Sequence, residues 1–263
     1  IRIRWLNCTN RSFEASVSVL KITNLSKSFG HVKAVNNLSL ELQSDSVVGF
    51  LGPNGAGKTT TMRMICGYLI PDQGVIRICG HDVRRESQKA RSKLGYLPEA
   101  PNGFGHLRVV EFLRFCGQAR GLFGEGLNSA IDHVSQRLDL SSVLRRPLNQ
   151  LSKGWRQRAW VAQAIIHDPH VLVLDEPTDG LDPNQKDLVR DLVRELSRDR
   201  TILLSTHILE EAEELCDRVI VLDKGIGIED APLADLTDSN GRLSACFRRL
   251  TKDAVGRVRP ENH

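Results

Sequence analysis

The chain has 263 residues, of which 40% are hydrophobic, and its net charge at pH 7 is +4. This length is enough to bury a full core, either as one α/β domain or as a core with a smaller subdomain. No stretch approaches about 18 apolar residues free of charge, and no long apolar segment follows Ile1–Trp5, which argues against a membrane-spanning helix and a secretory signal.

The positive charge lies at the two ends of the chain. Six basic residues against two acidic ones in 241–263, and three against one in 1–16, leave the body between them at about −2. A nucleic-acid binder needs a clustered basic surface, so no nucleic-acid partner is expected. The basic tail with Arg248 and Arg249 is expected to be solvated and disordered, and contact with anionic lipid headgroups stays open.

Residues 52–60 have the spacing of a phosphate-binding loop, and the apolar run Val47–Leu51 before them predicts the strand that such a loop needs. Its glycines let backbone amides face the phosphates, and a helix beginning near Lys58 adds its positive end. Lys58 is expected to reach the terminal phosphates, and Thr59 to ligate Mg²⁺. The predicted nucleotide-binding positions are Gly52, Pro53, Asn54, Gly55, Ala56, Gly57, Lys58, Thr59 and Thr60.

Between residues 100 and 151 the apolar positions recur with helical spacing, first in Val109–Phe115 and then in Leu127–Leu138. The loop 101–107 before them carries Phe104, which is expected to be exposed. This loop is either a docking surface for a membrane partner or merely flexible, and the sequence leaves both open.

The segment Leu151–Arg158 reads Leu-Ser-Lys-Gly-Trp-Arg-Gln-Arg. At the start of a helix, Ser152 and Gly154 would offer a hydroxyl, close backbone approach and the helix dipole to an anion. Taken alone, the same residues also fit an ordinary capped amphipathic helix with Trp155 and Trp160 in the core.

Two further apolar runs end in polar residues that suit ATP hydrolysis. Residues 171–174 predict a strand buried on both faces of a parallel sheet. Asp175 at its carboxyl end can hold Mg²⁺ through a water, and Glu176 is the predicted base for the attacking water, with a surface or helix-start carboxylate as the alternative. His207 follows the apolar stretch Thr201–Leu204, so it is expected at a strand end near the terminal phosphate. The predicted catalytic residues are Glu176, His207 and Lys58.

In chain order, these motifs resemble those of the ATP-binding cassette (ABC) ATPases, over about 19–225. The resemblance implies an α/β fold with a P-loop NTPase core of mainly parallel sheet, an antiparallel β subdomain and an inserted α-helical subdomain at about 100–165. It divides the chain into an ATPase domain at 17–225 and a C-terminal tail at 226–263. Residues 1–16 form an N-terminal extension whose origin as a tag fragment, upstream read-through or native segment stays open.

The family pattern assigns further nucleotide contacts. It identifies Phe29 as the aromatic that stacks on adenine, Ser152 and Gly154 as the signature contacts, and Asp182 as part of the loop that joins two ATP sites. His207 takes the position of the switch histidine.

Two positions depart from that pattern. Glu99 stands where the family has the glutamine of the Gln-loop, so the implied metal ligands are Thr59, Asp175 and a charged Glu99. An extra carboxylate beside a triphosphate repels it unless Mg²⁺ lies between them. In the signature, Lys153 and Trp155 replace the common Gly and Gln.

The function implied is that of an ATP-binding and ATP-hydrolysing transporter subunit with ATP and Mg²⁺ as cofactors. The residues of the motifs are most similar to those of one branch of the family. That branch serves exporters of drugs, polysaccharides and lipids, and the gliding-motility and multi-copper-enzyme maturation systems. The implied partners are an integral-membrane permease and a second ATPase subunit, as a homodimer or pseudo-symmetric pair, at the cytoplasmic face of the membrane. Six cysteines without metal-like spacing suit that reducing compartment. The alternatives are a soluble ABC-type ATPase acting as a mechanical switch on ribosomes or DNA, and a regulatory nucleotide-binding module without catalysis.

Overall fold

The structure is a computed structural model that describes the backbone of residues 18–257 and the side chains of residues 18–252. The predictions for the N-terminal extension at 1–16 and for the last residues of the tail lie outside this range. The strands are β1 (Ser18–Phe29), β2 (Val32–Gln43), β3 (Val47–Leu51), β4 (Gln73–Ile78), β5 (His81–Asp82), β6 (Leu94–Leu97), β7 (Val171–Asp175), β8 (Thr201–Thr206), β9 (Arg218–Asp223) and β10 (Ile226–Pro232). The helices are α1 (Lys58–Ile65), α2 (Ser87–Ser92), α3 (Val109–Ala119), α4 (Gly124–Arg137), α5 (Lys153–Ile165), α6 (Pro183–Leu196), α7 (Leu209–Leu215), α8 (Leu233–Leu236) and α9 (Ser244–Arg257), with a 3₁₀ turn at Leu148–Gln150.

The central sheet has six strands in the order β10-β9-β3-β8-β7-β6, and only the β10–β9 pairing is antiparallel. Every residue of β3 and of β7 is buried, which confirms the two strands predicted from unbroken apolar runs. Because side chains alternate along a strand, the two faces of the sheet serve different cores. Val171 and Val173 belong to one hydrophobic cluster, whereas Leu172 and Leu174 belong to the other.

A second, antiparallel sheet of β2-β1-β4-β5 packs with α1 on one face of the central sheet. Helices α3 to α6 share the cluster on the opposite face. The predicted α/β class, mainly parallel core sheet, antiparallel β part and helical insertion are therefore confirmed.

The helical insertion carries an aromatic cluster. The ring centroids of Phe112 and Trp160 lie 4.9 Å apart. Phe104 lies 5.6 Å from Phe112 and 5.2 Å from Phe115 by the same measure, and it is half-buried. The expectation of an exposed Phe104 is therefore wrong, because the loop folds back so that this ring packs on α3.

The C-terminal segment differs from the expected disordered tail as far as residue 257. Strand β10 pairs with β9, where Arg218 donates two hydrogen bonds of 2.6 Å to the Asp230 carboxylate. Further on, Phe247 and Leu250 of α9 pack against the main core. The composition of this helix, with few apolar residues among many charges, is typical of a solvated tail. The helix nevertheless packs on the core, because its few apolar residues share one narrow face.

Over residues 18–257, no helix is both long enough and apolar enough to cross a bilayer. Among the same residues the cysteines are free thiols.

Candidate functional site

The phosphate loop connects β3 to α1, as predicted. Gly57 at the start of α1 has φ +102°, and a Cβ there would overlap the carbonyl oxygen of Ala34. Only glycine fits this position. No side chain caps α1, so the amides of its first turn remain available to a phosphate.

Lys58 is folded into this loop. Its side chain is buried, and Nζ donates to the carbonyl oxygens of Gly52 at 2.6 Å and Pro53 at 3.3 Å. Burial lowers the pKa of Lys58, while the carboxylates of Glu176 and its neighbours act in the opposite direction. The loop thus holds the Lys58 ammonium group in the wall of a cavity.

A cavity of about 520 Å³ opens over the phosphate loop, within the size range of small-molecule sites. Phe29 lies on its wall with 51% of its surface exposed, as a ring available for stacking. Of the predicted residues, the cavity wall contains Phe29, Asn54, Gly55, Ala56, Gly57, Lys58, Thr59, Thr60, Glu99 and Glu176.

Four wall residues carry no sequence motif: Val32, Lys33, Ala34 and Lys224. Lys224 lies in the β9–β10 turn, which is held against the site because Gly225 donates to the carbonyl of Ala56 at 2.9 Å and accepts from the amide of Asn36 at 2.8 Å. This turn is remote in sequence from the phosphate loop. Its Lys-Gly pair predicts only a turn and does not indicate a nucleotide contact.

Asp175 ends β7 under the phosphate loop and is 1% exposed. Its Oδ1 accepts from the Ser205 hydroxyl at 2.6 Å and lies 3.5 Å from the Thr59 hydroxyl, whereas its Oδ2 has no partner. Burial raises the pKa of Asp175, the Ser205 bond acts against this, and Glu99 raises it further. An unpaired buried oxygen beside a threonine hydroxyl fits a Mg²⁺ ligand set.

No group of three or more His, Cys, Asp or Glu side chains able to hold a metal occurs among the described residues. A Mg²⁺ ion at Asp175 would therefore take other ligands from Thr59, water and phosphate oxygens. Mg²⁺ is usually bound in this way, by one or two protein side chains together with water and phosphate oxygens.

Glu176 and His207 meet at the ends of β7 and β8. Glu176 Oε2 lies 2.9 Å from His207 Nδ1, and the acid is 11% exposed at its side chain against 48% for the imidazole. The Glu176 backbone has φ +48°, and its amide donates to the carbonyl and the hydroxyl of Ser205 at 3.2 and 3.0 Å. Burial raises the pKa of Glu176, and His207 counters this. The raised pKa suits a general base.

Ser152, Gly154 and Asp182 lie outside the cavity wall. The Ser152 hydroxyl caps α5 by accepting from the Trp155 amide at 3.4 Å, and Asp182 caps α6 by accepting from the Gln185 amide at 3.0 Å. A Cβ on Gly154 would lie 2.6 Å from the Gln185 side chain. The start of α5, which carries the signature, therefore lies against the start of α6, which follows Asp182, and neither belongs to the wall of this cavity.

A second cavity of about 580 Å³ shares Glu99 with the first and also has Asp175 in its wall. Its wall includes Tyr68, which is 72% exposed, and Tyr96, whose ring centroid is 5.6 Å from that of Tyr68. Arg63, Pro98, Ala100, Asn102, Arg120, Trp160 and Gln163 complete the wall.

Residues 35–179 match the family model described as ABC transporter. The chain is 38% identical over 223 residues to Nod factor export ATP-binding protein I of Cupriavidus metallidurans, covering 84% of this chain and 74% of that protein. It is 38% identical over 210 residues to the ABC transporter ATP-binding protein NatA of Bacillus subtilis, covering 79% of this chain and 85% of NatA. Among solved structures, one titled "Structure of ATP binding subunit of ABC transporter" has a TM-score of 0.80 at 28% identity, covering 89% of this chain and all of the other.

Proposed function

This chain belongs to the ABC transporter family as an ATP-binding, ATP-hydrolysing subunit, and we propose that it powers export through a separate membrane-embedded subunit. The observation that carries the hydrolysis on which the proposal rests is Glu176, which lies in the wall of the nucleotide cavity and 2.9 Å from His207. The two relatives described above are named for export or transport. Those names favour transport over action on ribosomes or DNA.

Within the cavity, Lys58 and the amides of the first turn of α1 bind the phosphates, and Phe29 stacks on the base. Thr59 and Asp175 would hold Mg²⁺, with Glu99 as a further candidate ligand. When bound, the ion neutralises the charge that develops on the terminal phosphate. Glu176 takes the proton of the attacking water, and His207 orients Glu176 through the hydrogen bond to its Oε2.

The positions of Ser152 and Gly154 support a two-subunit site. Both lie outside the wall of the cavity in their own chain, and Ser152 is exposed at the start of α5. In a head-to-tail pair, the signature of one chain closes the open side of the other chain's cavity. Asp182 adjoins the signature and would lie at the same interface.

The second cavity is the proposed docking site for a cytoplasmic segment of the membrane subunit. It exposes Tyr68 and contains the cations Arg63 and Arg120, so it suits a short segment with an apolar residue and a carboxylate. Because Glu99 and Asp175 belong to its wall, occupation of this cavity reaches the nucleotide site directly. A docking site of this kind would put the chain at the cytoplasmic face of a membrane, which is the location that we propose.

Co-purification tests the proposal. Tagged chain with Glu176→Gln is recovered from native membranes with Mg²⁺ and ATP, and the retained proteins are identified. A multi-span membrane protein retained by this variant, and lost when Tyr68→Ala is added, is the expected result. Retention of ribosomes or DNA-bound proteins, with nothing from the membrane fraction, would overturn the transport assignment.

A further inference from the structure

Glu211 on α7 is a buried acid outside all of the motifs described above. It is 1% exposed, and both of its carboxylate oxygens are paired. Oε1 accepts from the Thr178 hydroxyl at 2.6 Å and lies 3.3 Å from Nζ of Lys186, and Oε2 accepts from the Thr206 hydroxyl at 2.9 Å. Burying a carboxylate is costly even when it is paired.

The partners of Glu211 belong to three segments of the functional site. Thr178 follows Glu176 by two residues, and Thr206 directly precedes His207. Lys186 lies in the first turns of α6, the helix that Asp182 caps. One carboxylate therefore links the segment after the proposed base, the strand end before His207 and the helix after the Asp182 loop.

This link fixes the backbone on both sides of His207. The Thr206 hydroxyl donates to Glu211 and also accepts from the amide of Ile208 at 3.0 Å. The contact between Glu176 and His207 spans the ends of two strands, so its length depends on how those ends are held. Ser205 holds the Glu176 amide, and Glu211 holds Thr178 and Thr206, which lie close to the pair in sequence.

We propose that Glu211 is a positioning residue for ATP hydrolysis, which sets the geometry of Glu176 and His207 and ties both to the Asp182 loop. The inference rests on the roles given above to Glu176 and His207. Glu211, Thr178 and Thr206 are absent from the wall of the nucleotide cavity. Their loss therefore lowers the hydrolysis rate and leaves ATP binding intact.

The test compares Glu211→Ala and Glu211→Gln in the full chain by kcat, KM and the Kd for ATP. For Glu211→Ala, kcat falls about 10- to 100-fold with Kd changed less than about twofold, because a small misplacement of reacting groups slows chemistry without weakening binding. Glu211→Gln recovers part of this loss, because its amide oxygen still accepts from one threonine hydroxyl and its amide nitrogen can donate to the oxygen of the other. A kcat near the wild-type value in a folded Glu211→Ala chain overturns the proposal.

Glu213→Ala is the matched control. Glu213 lies on the same helix, is 10% exposed at its side chain and holds Arg242 at 3.0 Å and the amide of Leu243 at 2.6 Å, so it ties α7 to the start of α9. Its loss lowers thermal stability and leaves kcat unchanged. Equal losses of kcat in Glu211→Ala and Glu213→Ala would show a general structural effect and overturn the assignment.

Two threonine variants keep the test decisive if Glu211→Ala does not fold. Thr178→Val and Thr206→Val each remove one hydroxyl, and each lowers kcat at unchanged Kd. The double variant Thr206→Val with Glu211→Gln loses less transition-state stabilisation than the sum of the two single losses, since both substitutions alter the same contact. Unchanged kcat in both threonine variants overturns the proposal. Wild-type turnover and its loss in Glu176→Gln are measured alongside, so a failure of the underlying site assignment is recognised separately.

Discussion

Replacing Asp175 by Asn is predicted to stabilise the nucleotide-free protein and to weaken its response to Mg²⁺ and ATP. Asp175 is 1% exposed, and its Oδ2 has no hydrogen-bond partner. Burial raises the pKa of this carboxyl, and Glu99 adds repulsion. The charge that suits a metal ligand is thus unfavourable while no cation lies beside it.

The size of the effect follows from the two oxygens. A buried polar group without a partner costs about 1–3 kcal/mol. The asparagine side chain of the variant would keep the contact of Oδ1 with Ser205, but its amide nitrogen would bring new donors to the unpaired side. The net gain is therefore at the low end, about 1 kcal/mol, or a Tm rise of about 2–4 °C for a domain of this size. With Mg²⁺ and ATP the order reverses, because the wild type gains more from the ligand.

Thermal unfolding at several pH values checks both sign and cause. The folded pKa of Asp175 lies above its ordinary value of 3.8, so the penalty is absent at low pH and appears as pH rises through the folded pKa. The advantage of Asp175→Asn is therefore present at pH 7 and shrinks as pH falls toward that ordinary value. An Asn variant that is less stable than wild type at pH 7 without nucleotide, or an advantage that does not change with pH, would refute this reasoning.

Asp72→Asn is a control of opposite sign. Hydrogen bonds from Lys27 and from the Ser28 amide lower the pKa of Asp72, so its contribution to stability is present at neutral pH and lost as pH falls through the folded pKa. The Asn variant loses stability at pH 7, and the difference disappears in acid. If the two variants shift in the same direction, amide substitution itself, and not the state of the carboxylate, is the cause.

Three substitutions separate the roles within the nucleotide cavity. Lys58→Ala is expected to weaken both ATP binding and turnover, at a cost in transition-state stabilisation of about 3 kcal/mol, and undiminished turnover in a steady-state assay would contradict the phosphate-loop assignment. Glu176→Gln is expected to bind ATP normally and to hydrolyse it about 10²- to 10⁴-fold more slowly, because it removes the base and leaves the phosphate contacts; loss of ATP binding would exclude that role. Glu99→Gln is expected to raise the affinity for ATP in metal-free buffer by removing repulsion, with a smaller effect when Mg²⁺ is present, and equal Kd values for the two proteins without metal would argue against contact of Glu99 with the phosphates.

The parts of the site that follow from the sequence are those whose chemistry and strand lie side by side in the chain. The phosphate loop directly follows the apolar run of β3, and Asp175 directly follows that of β7. In a parallel sheet both strand ends meet at one edge, so the proximity of Thr59 to Asp175 is predictable from sequence. His207 follows β8, which is the strand between β3 and β7. Its place at the same edge of the sheet is therefore predictable in the same way.

The parts that do not follow are brought in by pairing between distant segments. Lys224 reaches the cavity because β9 pairs with β3 and the next turn is held at Ala56. Glu211 has no motif around it, since a single acid in a short helix is not distinguishable from a surface residue by pattern. Ser205 lies next to the switch-histidine position, but its hydrogen bond to Asp175 depends on the pairing of β7 with β8. Strand β10 is not predicted from sequence because it has no apolar run. It is an edge strand whose side chains are exposed or only partly buried.

The electrostatic arrangement of the site explains why nucleotide, metal and geometry act together. Lys58 experiences attraction from Glu176, Asp175 and Glu99, yet the loop carbonyls of Gly52 and Pro53 hold its Nζ. The raised pKa values of Asp175 and Glu176 show that this cation does not compensate their burial. A triphosphate bound together with its cation would supply this compensation, with the metal beside Asp175 and the phosphates beside Lys58. ATP alone would add negative charge beside the acids. Binding of the two together is therefore favoured over binding of either. Removal of the Asp175 or Glu99 charge is expected to weaken that coupling, although loss of the Asp175 charge stabilises the nucleotide-free fold.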